Sequence, residues 1–303
     1  MAQNMTNRYT RLPGLHTREL HEAPIRLDRI ISTLGPFPIE RILNKWATSG
    51  LQPPAEVPHR FEKLFYLLEL LSPAHAIAGR SVVDFGCGLS VFVSQAAQLG
   101  MTSMGIDTFE EYGGRCQDLA EGVIDTVCQS DNKPTLVRAD LLRDHVPGSG
   151  SFDFATSMGM MEHIFGRDMR ESIIRKMMQT LRPGGWLILI CGPNQRFPID
   201  FFHYGPRFPF LHQLPVSVRR SYLEFFAGKR NRDPLWLSGM RVDELEAAIQ
   251  SSGGDGVYQL FPLWAHLVRD PRLKRVKEAY IGVAEILSRF KAEPVIVLAA
   301  QKR

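Results

Sequence analysis

A glycine-rich stretch preceded by an acidic residue is the part of this sequence that most directly indicates chemistry. It reads VDFGCGLS over residues 83–90, between an apolar run and a helical pattern. Glycines at such a turn let a ligand approach the backbone closely, and the N-terminus of a following helix favours a carboxylate. The dinucleotide-binding pattern G-x-G-x-x-G is incomplete, because Val91 stands where its third glycine is needed. Asp84 would repel a pyrophosphate and suits the ammonium group of an amino-acid-like cofactor, directly or through water; a tight turn without a ligand is the alternative.

Two further aspartates follow the next two apolar runs, where they fit a nucleoside site. Asp107 comes 23 residues after Asp84, and an acidic residue about 20 residues after such a loop is positioned to accept hydrogen bonds from ribose hydroxyls. Asp140 ends the third run, where a carboxylate can receive an adenine amino group. Each aspartate also fits the simpler role of capping the segment that follows it, and the sequence leaves both alternatives open.

The elements that must position these residues are indicated by alternating periodicities. Short apolar runs predict strands at 81–85, 102–106, 135–139, 152–156, 186–191, 257–261 and 294–300. Helical spacing of apolar residues predicts helices at 59–73, 90–99, 167–181, 241–252 and 271–291. Ser90 is the predicted N-cap of the second of these helices, and Gly100 its stop. This alternation predicts an α/β fold whose mostly parallel sheet is covered by helices on both faces.

Five motifs, taken in chain order, resemble those of the class I S-adenosylmethionine (SAM)-dependent methyltransferases. They read VVDFGCGLS, GID with Asp107, RADLL with Asp140, FDFATSMGMMEHI and LRPGGWLIL. The resemblance spans roughly residues 80–192 and is closest to the small-molecule type that includes the quinone-biosynthesis methyltransferases. Ser90 departs from the pattern, since many members have a third glycine there, but serine is small and a good N-cap.

The resemblance implies a Rossmann-like, doubly wound fold with a mostly parallel seven-stranded sheet, and it implies SAM as the cofactor. The implied cofactor contacts lie in the glycine-rich loop, at the ends of the next two strands and beneath the methyl donor: Asp84, Gly86, Cys87, Gly88, Asp107, Thr108, Asp140, Leu141 and Ser157. Methyl transfer from a sulfonium is an in-line displacement in which the enzyme mainly supplies orientation. The scheme therefore requires no metal, and the sequence shows no evident cluster of metal ligands.

The segments after the fourth and fifth strands bear on the acceptor. The loop at 157–160 reads SMGM and lacks the Asn/Asp-Pro-Pro-aromatic motif of methyltransferases that act on the amines of nucleic-acid bases, which leaves O-, C- and other N-methylation open. His163 is a candidate general base, with a structural role as the alternative. Residues 192–203 resemble a stretch in bacterial methyltransferases of glycan or lipid-linked sugar synthesis. Within them Asp200 and His203 lie three apart, on one side of any helical turn, where they can bind or deprotonate an acceptor or simply order the loop.

The chain divides by pattern into an N-terminal helical extension at 1–75 and a methyltransferase domain at 76–303. The insertion at 192–240 is rich in aromatic and basic residues. It fits a lid over an acceptor with apolar and anionic parts, a peripheral contact with an anionic membrane, or amphipathic helices packed on the sheet. We expect a small-molecule acceptor, with the hydroxyl of a glycan, a lipid-linked sugar or another metabolite as the candidate.

The composition of the chain narrows the remaining classes of function. The 303 residues carry a net charge of +4, which is too small to indicate a dedicated nucleic-acid partner. The four cysteines lack zinc-site spacing and fit a reducing cytoplasm, where we expect the protein to reside. The N-terminus has no apolar signal-peptide core, and no apolar run approaches the ~20 residues that span a bilayer. The sequence does not indicate the oligomeric state.

Three other functions stay open at this point. A nicotinamide-dependent oxidoreductase is disfavoured by the missing third glycine and by Asp84. A non-catalytic protein that binds SAM or its product would have the same cofactor loop. An RNA methyltransferase acting on oxygen or carbon predicts a clear basic face and strongly salt-dependent binding.

Overall fold

The described part of the chain folds around one seven-stranded sheet. The computed structural model describes residues 17–50, 61–128, 131–198, 210–227, 239–261, 263, 283, 286–287 and 290–303. The strands are β1 (Ser81–Phe85), β2 (Thr102–Asp107), β3 (Thr135–Arg138), β4 (Phe152–Met158), β5 (Leu181–Cys191), β6 (Gly254–Gln259) and β7 (Ile296–Lys302). Their order across the sheet is β3-β2-β1-β4-β5-β7-β6. β2 pairs in parallel with β1 and with β3, whereas β6 and β7 are antiparallel. The predicted Rossmann-like, mostly parallel sheet is therefore confirmed.

Helices connect these strands as the sequence pattern predicts. Those of the described residues are α1 (Thr17–Leu34), α2 (Ile39–Thr48), α3 (Glu62–Leu71), α4 (Val91–Gln98), α5 (Glu111–Gly114), α6 (Cys116–Val127), α7 (Arg167–Thr180), α8 (Val216–Ala227) and α9 (Val242–Ser251). The helix predicted at 59–73 is shorter, because Ser72 precedes Pro73 and adopts the extended backbone that proline imposes on its neighbour. The helix predicted at 271–291 lies largely outside the described residues.

The pairing of β1 with β2 brings the predicted loop against a glycine. Asp84 stands opposite Gly105, and Phe85 stands opposite Ile106. A Cβ at Gly105 would lie 2.6 Å from Cys87 Sγ and 3.1 Å from a methyl carbon of Leu136. The missing side chain at Gly105 therefore makes room for the loop that follows β1.

The N-terminal helices α2 and α3 pack against helices α6 and α4. Trp46 of α2 is fully buried, and its indole Nε1 donates a 3.0 Å hydrogen bond to the main-chain oxygen of Leu119 in α6. A Cβ at Gly122 would lie 3.0 Å from that nitrogen, so glycine permits the close approach of the two helices. Phe65 of α3 stacks on Phe92 of α4 with ring centroids 5.0 Å apart. These contacts anchor α4, the helix that follows the glycine-rich loop.

The edge strand β6 differs from the sequence prediction of residues 257–261. It begins at Gly254, and its pairing with β7 is irregular between Asp255 and Val257. Gly256, with φ +60°, occupies the skipped position. In the sequence, the glycines at the start of β6 indicate a turn. In the structure they form a β-bulge, which accommodates one extra residue in an antiparallel pair of strands.

The chain divides into two compact units. One contains His16–Thr156 and Gln179–Trp186, and the other contains Ser157–Met178 and Leu187–Arg303. The division into an extension at 1–75 and a domain at 76–303 stays a prediction. Among the described residues, no helix is both long enough and apolar enough to cross a membrane.

Candidate active site

The glycine-rich loop lies at the carboxyl ends of β1 and β2. The amides of Gly86 and Cys87 both donate to the main-chain oxygen of Ile106, at 2.8 and 3.3 Å. Gly86 and Gly88 have φ values of +74° and +47°, which glycine adopts without strain. No described atom lies within 4 Å of the point where a Cβ of Gly88 would stand. The backbone of this loop is therefore open to a ligand.

Asp107 closes the loop through its carboxylate. Oδ2 accepts a 2.8 Å hydrogen bond from the amide of Gly88, and Oδ1 accepts a 2.9 Å bond from the amide of Phe109. Each carboxylate oxygen has two lone pairs, so both retain the capacity to accept a further hydrogen bond. The loop-capping alternative is thus observed, and it is compatible with the predicted contact to ribose hydroxyls.

Asp84 is a buried carboxyl beside the same loop. It is 4% exposed, and the hydroxyl of Thr156 donates a 2.7 Å hydrogen bond to its Oδ1. Burial raises the pKa of Asp84 to about 7; the Thr156 hydrogen bond lowers it and the charge of Asp107 raises it. A cation placed nearby would stabilise the ionised form. The sequence analysis missed Thr156, whose signal is its place near the end of β4, next to β1 in the sheet.

The third predicted contact region follows β3. Asp140 Oδ1 accepts a 2.9 Å bond from the amide of Leu142, and Oδ2 pairs with Arg143 at 3.5 Å. Leu141 is buried, and the main-chain oxygen of Thr108 accepts a 3.1 Å bond from Arg138. The capping alternative for Asp140 is observed, while its contact with adenine stays a prediction.

Ser90 corrects one detail of the sequence analysis. It occupies the N-cap position of α4, but with φ +60° and ψ +22° it is left-handed and makes no capping hydrogen bond within the described residues. Its hydroxyl oxygen instead lies 3.6 Å from Cys87 Sγ. The left-handed backbone is the physical reason that glycine suits this position.

The other predicted site residues lie beyond this loop. Ser157, in the second compact unit, is 1% exposed, and its hydroxyl has no hydrogen-bond partner among the described residues. His163 is half-buried and ends the short 3-10 helix Met161–His163 in the same unit. Asp200 and His203 lie outside the described residues. The structure thus assembles the loop, Asp84, Asp107 and Asp140 within one unit, and Ser157 and His163 within the other.

A polar cluster, termed the Asn194 cluster, follows β5 in the second unit. Asn194 is fully buried; its amide nitrogen donates a 3.0 Å bond to the main-chain oxygen of Lys291, and its Oδ1 accepts a 3.0 Å bond from the amide of Arg196. His212 Nε2 lies 3.1 Å from the main-chain oxygen of Asn194. Lys291 forms an ion pair with Glu246. These five residues join the segment after β5 to the segment before β7.

Glu293, two residues after Lys291, was missed by the sequence analysis. It is 0% exposed. Burial raises its pKa to about 8, and the charge of Glu246 raises it further, whereas the charges of Lys291 and Arg196 lower it. The available signal was an acidic residue directly before an apolar strand.

The four cysteines are all buried and form no disulfide bond in the described parts of the chain. Burial raises the pKa of the Cys87 thiol well above its usual value, and the charges of Asp84 and Asp107 raise it further. Neutral thiols are poor nucleophiles, so Cys87 is suited to packing. Within the described ranges, no group of three or more His, Cys, Asp or Glu side chains is arranged to hold a metal ion.

Comparison with known proteins shows which sequences the central part of the chain is similar to. The "Methyltransferase domain" family matches residues 83–189. A ubiquinone biosynthesis O-methyltransferase from Xanthomonas euvesicatoria is 34% identical over 48% of this chain and 54% of its own length. One from Methylococcus capsulatus is 28% identical over 39% of this chain and 46% of that protein. The chain spans about half the length of these curated relatives.

One solved structure is also similar to this chain. It is a SAM-dependent methyltransferase from Mesorhizobium loti, 20% identical, with a TM-score of 0.46 over 78% of this chain and 96% of that one. The matched residues 83–189 run from β1 to β5 and include the glycine-rich loop with Asp84, Asp107 and Asp140. Over this domain the chain is therefore similar to class I SAM-dependent methyltransferases.

Proposed function

We propose that this protein transfers a methyl group from SAM to a hydroxyl group of a small molecule. The observation that carries the proposal is the arrangement at the ends of β1 and β2. An open glycine loop lies there between a buried carboxyl, Asp84, and a second carboxyl, Asp107, that already holds the loop through Gly88. Asp84 suits an amino-acid-like cation, and Asp107 suits a pair of ribose hydroxyls.

The residues fit SAM in the following way. Asp107 would accept the ribose hydroxyls, and Asp84 would face the ammonium group directly or through water. The loop that contains Gly86, Cys87 and Gly88 leads into α4, whose N-terminus favours the carboxylate of the cofactor. Thr108, Asp140 and Leu141 would contact the adenine side, and Ser157 would lie beneath the methyl donor.

Methyl transfer requires the protein chiefly to orient the donor and the acceptor. When bound, SAM supplies a methyl group already activated by the positive sulfonium. The protein then needs to hold an acceptor oxygen in line with that methyl group and to exclude water. A proton acceptor is required when the acceptor is a hydroxyl, and His163, Asp200 and His203 are the candidates from the sequence.

The acceptor class is supported by two observations. The relatives in Xanthomonas and Methylococcus are described as O-methyltransferases of ubiquinone biosynthesis. The loop at 157–160 also lacks the proline motif of base N-methyltransferases. We therefore favour a small hydroxylated acceptor, such as a quinol, a glycan or a lipid-linked sugar.

Binding and turnover test the proposal together. Calorimetric titration of the purified chain with SAM and with NAD should give micromolar binding of SAM alone. Release of S-adenosylhomocysteine should then depend on a hydroxylated acceptor from a panel of 3,4-dihydroxybenzoate, a hydroquinone and a hexose phosphate. Absence of SAM binding by folded protein would overturn the proposal. Binding without turnover of any panel member would instead indicate a non-catalytic SAM-binding protein.

A further inference from the structure

Thr156 supplies the only hydrogen bond that the carboxyl group of Asp84 receives within the described residues. Its hydroxyl donates to Oδ1 of Asp84 at 2.7 Å, across 72 residues of chain. Thr156 is 1% exposed on β4, Asp84 is 4% exposed on β1, and these two strands are neighbours in the sheet. Both residues belong to the compact unit that also contains the glycine-rich loop and Asp107. The contact and the proposed cofactor site therefore lie within one unit.

The hydrogen of the Thr156 hydroxyl has two acceptors within reach. The main-chain oxygen of Val83 lies 3.4 Å from Thr156 Oγ1, whereas Oδ1 of Asp84 lies at 2.7 Å. A hydroxyl donates one hydrogen bond at a time, and hydroxyl–carboxylate bonds are both shorter and stronger than bonds between neutral groups. The geometry thus favours donation to an ionised Asp84.

The other groups around Asp84 oppose its ionisation. Burial raises the pKa of Asp84 to about 7, the Thr156 bond lowers it, and the charge of Asp107 on β2 raises it. The thiol of Cys87 in the loop has a pKa well above its usual value, so it stays neutral. No lysine or arginine of the described residues lowers the pKa of Asp84. Among the described groups, the Thr156 hydroxyl alone favours the ionised form, and a ligand is the available source of positive charge.

The same bond orients the carboxyl group. With Oδ1 held by Thr156, Oδ2 receives no hydrogen bond from the described residues. Asp84 leads directly into the glycine-rich loop, where Gly86 and Gly88 are half-buried and the backbone is open at Gly88. A ligand bound at this loop can use Oδ2, the oxygen that the protein leaves without a donor.

We propose that Thr156 is a positioning residue for SAM: its hydroxyl holds Oδ1 of an ionised Asp84 and leaves Oδ2 for the ammonium group of the cofactor. The inference rests on the proposed function and adds a residue that acts on the ligand only through Asp84. Without the hydroxyl, Asp84 keeps its proton to a higher pH, and the ammonium group meets a neutral carboxyl. A hydrogen bond to a charged group is worth about one to two units of pKa, so the pH range of binding should move upward by at least about one unit.

Calorimetric titration with S-adenosylhomocysteine from about pH 6 to about 9 tests the proposal. This ligand has the amino-acid group and the ribose of SAM. Thr156→Val replaces the hydroxyl with a methyl group of similar size; it should bind about tenfold more weakly than the wild type near pH 6 and equally well near pH 9. Thr156→Ser keeps a hydroxyl and should restore the wild-type profile. A packing defect would instead weaken binding by the same factor at every pH.

Two matched controls isolate the contact. Ser103 has a buried hydroxyl on β2 that donates to the main-chain oxygen of Val93 at 2.9 Å, and Ser103→Ala should leave the pH profile of binding unchanged. Methylthioadenosine has the nucleoside of SAM but lacks the amino-acid group. Its affinity should depend on pH in the same way in the wild type and in Thr156→Val, because it brings no ammonium group to Asp84.

The ionisation of Asp84 can also be followed without a ligand. In protein isotopically labelled at the aspartate carboxyl carbons, the nuclear magnetic resonance signal that disappears in Asp84→Asn reports this residue. Its midpoint should lie near pH 7 in the wild type and at least about one unit higher in Thr156→Val. Thr156→Ser should titrate close to the wild type.

The outcomes separate this inference from the proposed function. A folded Thr156→Val variant with the wild-type pH profile of binding would overturn the role of Thr156 and leave the methyltransferase proposal intact, whether or not the carboxyl signal shifts. Failure of the wild-type chain to bind SAM and S-adenosylhomocysteine would overturn the proposed function, and the role of Thr156 would fall with it. A shift of both the carboxyl midpoint and the binding profile, reversed in Thr156→Ser, would support the inference.

Discussion

The glycine-rich loop after β1 and the Asn194 cluster after β5 both hold buried polar groups near the carboxyl end of a strand, but they are assembled over different distances along the chain. Gly88 and Asp107 are 19 residues apart. Asn194 and Lys291 are 97 residues apart. The first region is built from consecutive β-α units, whereas the second joins two ends of a compact unit.

The two regions also differ in how their acids are satisfied. Asp107 and Asp84 each have a hydrogen-bond donor from the protein, so the glycine-rich loop is held in place by the chain's own groups. Neither carboxylate oxygen of Glu293 has a hydrogen-bond partner within the described residues. The difference separates a loop whose acids are held by protein donors from a buried acid that has no such donor among the described residues.

The largest expected effect concerns Asp107. Replacing it with alanine releases the amides of Gly88 and Phe109 and, under the proposed function, removes two charge-assisted bonds to ribose. We expect SAM affinity to fall about 100-fold, or about 3 kcal/mol, since hydrogen bonds to charged groups contribute roughly 1.5–3 kcal/mol each. Calorimetric titration measures this. Asp118→Ala, at an exposed surface pair with Arg115, should bind SAM normally; equal affinities for the two variants would contradict the assignment.

The next effect concerns the Asn194 cluster. Asn194→Ala removes two partly buried hydrogen bonds and leaves the main-chain oxygen of Lys291 without the donor that Asn194 supplies. The free energy of unfolding should fall by about 2 kcal/mol, while SAM affinity changes by no more than about threefold. Denaturant titration and calorimetry measure the two quantities, with the exposed Asn44→Ala as the control. Loss of SAM affinity comparable to that of the Asp107 variant would show that the two regions are not independent.

The third effect is a pH dependence at Asp84. Because its pKa is raised to about 7, the carboxyl is protonated below that pH, and an ammonium ligand must displace the proton. SAM affinity should weaken about tenfold for each pH unit below 7 and level off above it. Asp84→Asn should bind weakly at every pH, without that slope. Titrations from about pH 5.5 to about 8.5 measure this. A wild-type affinity independent of pH would argue against a cation beside Asp84.

The smallest effect concerns the left-handed Ser90. Glycine adopts its φ of +60° freely, whereas alanine retains the strain and loses the hydroxyl near Cys87. Ser90→Gly should therefore be more stable than Ser90→Ala by about 1 kcal/mol. Thermal unfolding of the two variants checks this. Equal stability of the two variants would mean that the loop relaxes around alanine, the larger of the two residues.

The sequence predicted the region from β1 to β3 better than the region after β5. The strand at 81–85 and the positions of Asp84, Asp107 and Asp140 at strand ends were found from periodicity alone. The bulged start of β6 was missed, because glycines at 254 and 256 indicate a turn until a partner strand is known. The capping role of Ser90 was wrong, since side-chain type does not reveal a left-handed backbone.

The sequence by itself determined the alternation of strands and helices and the aspartates that end the strands. Local periodicity specifies both, and parallel β-α units bring successive strand ends to one edge. Only the tertiary structure decided which distant groups meet. Thr156 reaches Asp84 across 72 residues, and the full burial of Glu293 depends on segments that the chain joins only on folding. Burial and partners set the ionisation of an acid, so the chemistry of Glu293 is a property of packing.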